Sequence, residues 1–258
     1  MISLPLPLKV KYRKSTLTQY DHLSVDGISL GKLVHDLSRK RQTDPAHLDP
    51  DLQRKMLPRL PGWRPMFCKT SVTHLKKHGV GEGDLIFFFG SFRNVRTNSC
   101  GDYEYADKRT EHVIFGWFQI GRSLPVGKQN RADAPDWARF HPHFYGDRLG
   151  ELLIAPDELC LKGLRGNIPG AGVFERYHKD LVLTAPLPNY HKGYWKLPLA
   201  FRPERNKSLL SFHDRVKWKI KGKDLFLRTA DVGQDFVFDA DSRPDAVEWA
   251  KKLIRDKH

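Results

Sequence analysis

Two apolar, aromatic-rich runs constrain the fold of this chain most strongly. The first, LIFFFGSF, follows the glycine- and acid-containing turn GVGEGD, and its apolar part from Leu85 to Phe89 is typical of a buried strand. The second, HVIFGWFQIGR, begins at His112, and Gly116 in its middle indicates a bulge or a close backbone approach. We expect the two strands to pair across the core.

Weaker patterns surround this pair. Helical spacing of apolar residues predicts an amphipathic helix within residues 26–40, a second helix over 71–78 and a third after Ser242. Residues 215–221 alternate cationic and apolar side chains, which predicts a half-buried strand that turns at Gly222 into a hairpin. The fold prediction is α+β: a mixed, largely antiparallel, β-barrel-like sheet with flanking helices and long functional loops. A glycine- and acid-containing turn that leads into an aromatic strand, followed by an aromatic partner strand, resembles the small β-barrels of the PUA, ASCH and EVE type. These barrels hold a base or modified nucleotide against aromatic walls.

Charge is the strongest bulk signal. The 258 residues carry a formal net charge of +14, and such a surplus of cations attracts polyanions, so nucleic acid or nucleotide is the first partner to consider. No run approaches the roughly 18 apolar residues of a membrane helix, and the N-terminus lacks the features of a signal peptide. Three cysteines without a C-x-x-C pair indicate reduced thiols. We expect a cytoplasmic protein with no membrane partner.

The stretch DPAHLDPDL, residues 44–52, supplies candidate metal ligands. It places His47, Asp49 and Asp51 at alternate positions, and imidazole with carboxylate suits non-haem iron, manganese or zinc when further histidines complete the shell. The alternative is that an aspartate caps a helical turn and that the histidines are ordinary loop residues. The predicted ligand pool consists of His47, Asp49, Asp51, His112, His141 and His143. His35 is a weaker candidate outside this pool.

Candidate nucleic-acid contacts lie in the aromatic strands and in the basic segment. Lysines and arginine on one face of a strand could each neutralise a phosphate, or they could protect a sheet edge against aggregation. Trp117 could hold a base or pack in the core. The predicted nucleotide-binding or nucleic-acid-binding residues are Arg93, Trp117, Arg215, Lys217, Lys219 and Lys221.

Other site classes find no support in the sequence. GVGEGDLIFFFGSF lacks the Lys-Ser/Thr ending of a phosphate loop and runs into a strand, so no nucleotide cofactor motif is present. No Ser-His-Asp elbow occurs, and Cys68 has no context that marks a nucleophile.

A longer series of motifs resembles one known family. In order along the chain these are SLPLP, HLDPDL, GWRPMF, HLKKHGVGEGDLIFFFGSFRN, HVIFGWFQIG, HPH, PGAGVF, LVLTAP, YWKLPLAF and LLSFH. They resemble nucleotide modification associated domain 3, and the resemblance implies a link to the modification of DNA bases or nucleotides in bacteria and their phages. We expect a single domain over 1–258, with a family core at 1–190 and the basic hairpin and C-terminal helix at 191–258 as a possible subdomain.

The resemblance has departures. Relatives begin with a further segment, have Gly-Gln where this chain has Cys68 and Lys69, and have Trp in place of Ser91. Three functions therefore stay open. The protein acts on or recognises a modified nucleotide or nucleic acid; it is a metal-dependent oxidase or oxygenase of the non-haem iron type; or it is a non-catalytic accessory protein, which a shortened N-terminus favours.

Overall fold

The computed structural model of the protein describes residues 1–7, 18–39, 44–164, 167–186, 191–204, 207–213, 218–229 and 235–257. Three α-helices lie in these ranges: α1 Leu30–Ser38, α2 Thr73–Lys77 and α3 Pro244–Lys257. The strands there are β1 Leu6–Pro7, β2 Ser24–Val25, β3 Ile28–Ser29, β4 Ala46–His47, β5 Met66–Lys69, β6 Leu85–Phe92, β7 Val95–Thr97, β8 Tyr103–Tyr105, β9 Glu111–Gln119, β10 Arg122–Val126, β11 Gly150–Ile154, β12 Ala171–Val173, β13 Tyr194–Pro198, β14 Lys219–Lys221 and β15 Asp224–Arg228.

The strands form several small antiparallel sheets. Three sheets have three strands each, in the orders β12-β9-β6, β10-β11-β5 and β13-β15-β14, and three ribbons pair β1 with β4, β2 with β3 and β7 with β8. The α+β class and the antiparallel pairing are therefore confirmed. The described strands do not close into a barrel, so the predicted barrel-like sheet is wrong for this part of the chain, and the likeness to PUA, ASCH and EVE barrels is not confirmed.

The predicted central pair is β6 with β9. Phe88 lies opposite Gly116 and Phe89 opposite Ile114, so the register shifts by one residue at this point. A Cβ atom on Gly116 would lie 2.7 Å from Leu52 Cδ1 and 2.9 Å from the Gly172 carbonyl oxygen. Gly116 thus sits beside the predicted irregularity and also permits the close approach of β12.

Both faces of β6 pack against apolar side chains, which explains its continuous apolar sequence. Phe88 belongs to a cluster with Phe118 and Leu153, whereas Phe87 and Phe89 pack on the opposite side against a larger cluster. That larger cluster is built from β9, β13, β15 and α3; its buried members include Val113, Trp117, Trp195, Leu227 and Ile254.

Local signals explain the start of α1, the end of α2 and the turn between β14 and β15. Ser29 caps α1 by accepting a hydrogen bond from the Lys32 amide, while the first residues of the predicted helix form the β2–β3 hairpin instead. Gly79, at φ +70°, follows α2 as predicted, and Gly222, at φ +60°, turns β14 into β15. None of the helices in the described ranges is long and apolar enough to span a membrane.

His112 lies in the core and not in a ligand cluster. Its Nδ1 accepts a hydrogen bond of 2.9 Å from Trp195 Nε1, and its ring packs against Phe89. The structure therefore does not bring His112 to the other predicted ligands: an apolar strand position buries it, and Trp195 occupies one of its nitrogens. Burial, and then repulsion by Lys192 and His191, lowers its pKa from 6.5 to about 4.

This buried imidazole predicts a loss of stability in acid. The unfolded chain takes up a proton at His112 near pH 6.5, whereas the folded protein does so only near pH 4. The free energy of unfolding should therefore decrease as the pH falls through this window, by up to about 3 kcal/mol from this residue. Urea unfolding at about pH 7.5 and about pH 5 measures this decrease. The decrease in the free energy of unfolding between the two pH values should be smaller for His112→Gln, which keeps an acceptor for Trp195, than for the wild type. Equal losses in both proteins would contradict the assignment.

Candidate metal centre

The stretch DPAHLDPDL is fixed at both ends by backbone pairing. Its start forms β4, which pairs with β1, and at its end Asp51 exchanges backbone hydrogen bonds of 2.9 and 3.0 Å with Met66. Ala46 and Leu48 are buried in the N-terminal apolar cluster around α1. The alternate residues His47 and Asp49 consequently face the other side of the segment.

The second loop carries His141 and His143. His141 precedes a short 3₁₀ helix, Pro142–Tyr145, and Phe144 within that helix is fully buried beside Met66 and Cys68 of β5. This anchoring places both histidines against the DPAHLDPDL segment, although the two loops lie more than ninety residues apart in the sequence.

Three ligand atoms converge between the loops. His143 Nε2 lies 3.2 Å from His47 Nε2 and 3.1 Å from Asp49 Oδ2, and His47 Nε2 lies 3.8 Å from the same carboxylate oxygen. Among the described residues, these three side chains form the group of His, Cys, Asp and Glu that is compact enough to hold an ion. The side chains of His47 and His143 are each 22% exposed, so the group opens to solvent on one side.

The other carboxylate oxygen of Asp49, Oδ1, lies against the backbone of β5. Oδ1 accepts a hydrogen bond of 2.8 Å from the Cys68 amide and faces His141 Nε2 at 3.7 Å, which is too long for a hydrogen bond. His141 is fully buried, and neither of its ring nitrogens has a hydrogen-bond partner among the described residues. Leaving a buried polar group unsatisfied costs about 1–3 kcal/mol.

The electrostatics of the cluster favour the protonation states that metals bind. Burial lowers the pKa of His47 to about 4, and repulsion by His143 and His141 adds to this effect against the attraction of Asp49. Burial raises the pKa of Asp49, but the nearby imidazoles of His141 and His143 and the hydrogen bond from the Cys68 amide outweigh burial and hold that pKa below its ordinary range. Neutral imidazole and ionised carboxylate are the ligand forms of both groups.

The structure pairs Asp51 with Arg59 and not with the other predicted ligands. Its carboxylate receives hydrogen bonds from Arg59 Nη1 at 2.7 Å and Nη2 at 2.5 Å, and Trp63 Nε1 lies 3.4 Å away. Both partners of this ion pair are almost fully buried. The predicted ligand Asp51 is therefore occupied by Arg59 and supports the segment instead. His35 is exposed on α1 and contacts its neighbour Asp36.

The predicted nucleic-acid contacts are scattered. Trp117 is 2% exposed, donates to the Pro169 carbonyl oxygen and packs against Phe174, so it belongs to the core. Arg93 lies over the Tyr105 ring at 3.7 Å and donates to a backbone carbonyl.

The basic strand is only partly described. Lys219 and Lys221 are exposed on β14, whereas Arg215 and Lys217 lie outside the described residues. Gly170 and Gly172 pack closely on Pro156 and Trp117.

The chain was compared with family models, curated proteins and solved structures. Neither a curated protein nor a solved structure matches the chain at a significant level. The family model described as nucleotide modification associated domain 3 matches residues 1–239, which include every residue of the candidate metal centre. The resemblance in the motifs is thereby confirmed: the chain belongs to the nucleotide modification associated domain 3 family.

Proposed function

We propose that the protein is a metal-dependent enzyme of a nucleotide-modification system, with His47, Asp49 and His143 as the ligands of one divalent metal ion. The convergence of these three side chains from two distant loops carries the proposal. Two imidazoles and one carboxylate with an open side are the ligand set of non-haem iron oxygenases, so Fe(II) is the first candidate.

The residues behind the ligands support this assignment. The Cys68 amide holds Asp49 Oδ1, which leaves Oδ2 directed at both histidines. His141 faces the same Oδ1 atom, and we assign it to positioning the carboxylate, as outer partners commonly do at metal sites. When bound, the metal would supply activation of oxygen or water, and the solvent-facing side of His47 and His143 would receive the substrate.

Family membership supports a nucleotide or a nucleic-acid base as the substrate class. The formal charge of +14 supports the same substrate class, because it raises the local concentration of phosphate-bearing molecules around the protein. The metal centre and the substrate class are separate parts of the proposal, and each can fail without the other.

The test combines oxygen uptake with nucleoside mass analysis. Protein loaded with Fe(II) under argon is mixed with air-saturated buffer, with ascorbate as the two-electron reductant, and with either deoxynucleotides or DNA. We expect oxygen consumption together with a mass change on one nucleoside, both lost in His143→Ala and both retained in His35→Ala, an exposed control outside the cluster.

The outcomes separate an oxidative reaction, a hydrolytic reaction and a non-catalytic accessory function. Release of phosphate without oxygen uptake would replace the oxidative reaction with a hydrolytic one. Bound iron with no change in any nucleotide or DNA would overturn the substrate class and leave the metal site standing. Protein that binds no metal would favour the non-catalytic accessory function.

A further inference from the structure

The sheet β13-β15-β14 has one buried face and one outer face. Directly opposed residues share a face, and the pairs Trp195 with Leu227 and Leu197 with Leu225 are buried in the core. The intervening residues therefore point outward on all three strands. The outer sheet face consists of Tyr194, Lys196, Pro198, Asp224, Phe226, Arg228, Lys219 and Lys221.

Two aromatic rings lie on this outer sheet face. Tyr194 and Phe226 are half-buried and nearly parallel, with ring centroids 6.4 Å apart and an interplanar angle of 20°. They lie on neighbouring strands, on the side of the sheet opposite to the apolar core. Because both rings stay partly exposed on the face away from the core, they are available to a ligand.

The rings are surrounded by positive charge. The outer sheet face carries four cations and one acid, and that acid, Asp224, forms an ion pair of 3.1 Å with Lys196. Among the described residues, no acid forms an ion pair with Lys219, Lys221 or Arg228. Lysines on the edge strand β14 could serve only to prevent aggregation, but that role does not account for the aromatic pair.

We propose that the outer sheet face binds single-stranded nucleic acid. Bases stack on Tyr194 and Phe226, while phosphates lie against Lys219, Lys221 and Arg228. Stacking of bases on aromatic rings combined with a cationic surface is the general mode of single-strand binding, and a duplex cannot use it because its base faces are covered. The proposal does not depend on the metal centre, since no residue is shared between the two sites.

The test is fluorescence anisotropy with labelled oligothymidylate and oligouridylate of roughly 15 nucleotides, and with a duplex of equal length. We expect either single strand to bind more tightly than the duplex. Phe226→Leu, which keeps apolar bulk but removes the stacking ring, should weaken single-strand binding about tenfold without changing duplex binding. Changing Lys219 and Lys221 together to alanine should reduce the magnitude of the slope of log affinity against log salt concentration by about 1.4.

Matched controls make the result decisive. Lys55 and Lys252 are exposed lysines away from this sheet, and their double alanine variant should leave single-strand affinity within about twofold. An equal loss in this control, tighter binding to duplex, or no effect of Phe226→Leu would each overturn the proposal. Phe226→Leu should keep its metal content, and His143→Ala should keep its oligonucleotide affinity, so failure of one site is distinguishable from failure of the other.

Discussion

Replacing Arg59 with methionine is expected to lower the free energy of unfolding by about 3–5 kcal/mol, which is among the largest effects that one substitution can have. The physical reason is that Asp51 would remain buried with an uncompensated charge, because both of its oxygens bond to Arg59. Arg59 also lies over the Trp63 ring at 4.3 Å and donates to the Gln53 carbonyl oxygen. Urea unfolding measures the loss.

Two further variants control this prediction. Arg64 forms an ion pair with Asp157, but both side chains are substantially exposed, so Arg64→Met should cost less than about 1 kcal/mol. Adding Asp51→Asn to Arg59→Met should recover part of the lost stability, because it removes the unpaired charge. Similar losses for Arg59→Met and Arg64→Met would contradict the described burial of the Asp51 pair.

Metal should stabilise the folded protein strongly. At a free Fe(II) concentration about 100 times the dissociation constant, binding to the folded state alone adds about 3 kcal/mol to the free energy of unfolding. For a chain of this size the corresponding increase in Tm is roughly 5–10 °C. Asp49→Asn, which keeps the shape of the side chain but removes the charged ligand, should abolish this increase. Thermal unfolding with and without Fe(II), under argon, measures both.

The matched control for Asp49→Asn is Asp157→Asn, because Asp157 is an exposed aspartate outside the cluster. It should show the full increase in Tm. An increase that persists in Asp49→Asn would mean that the metal binds elsewhere, and no increase in any variant would remove the metal centre from the account.

Several elements could be predicted from the sequence because their signals are local. The apolar run of β6, the glycines after α2 and between β14 and β15, and the spacing of α3 depend on neighbours in the chain. The barrel was wrong because closure depends on which strands pair over long distances, and periodicity contains no such information. Residues that lie outside the described ranges, including Arg215 and Lys217, stay predictions.

The sequence indicates only part of the candidate site, because contacts between distant segments leave no local signal. Alternation places His47 and Asp49 on one side of their segment, and the HPH motif supplies His143, which lies against both. Asp51 shares that alternation, but Arg59 lies eight residues later with no motif to indicate the pair. Trp117 and His112 belong to a strand that is buried on both faces. Residue type alone does not distinguish a core tryptophan from one that holds a base, or a core histidine from a ligand.

Elemental analysis tests the central claim most directly. The protein is purified under argon, without added metal and without a histidine tag, and its metal content is compared with those of His143→Ala and His35→Ala. The account predicts about one iron per chain in the wild type and in His35→Ala, and a loss of about tenfold or more in His143→Ala. Metal-free wild-type protein, or a metal content that does not depend on His143, would contradict it.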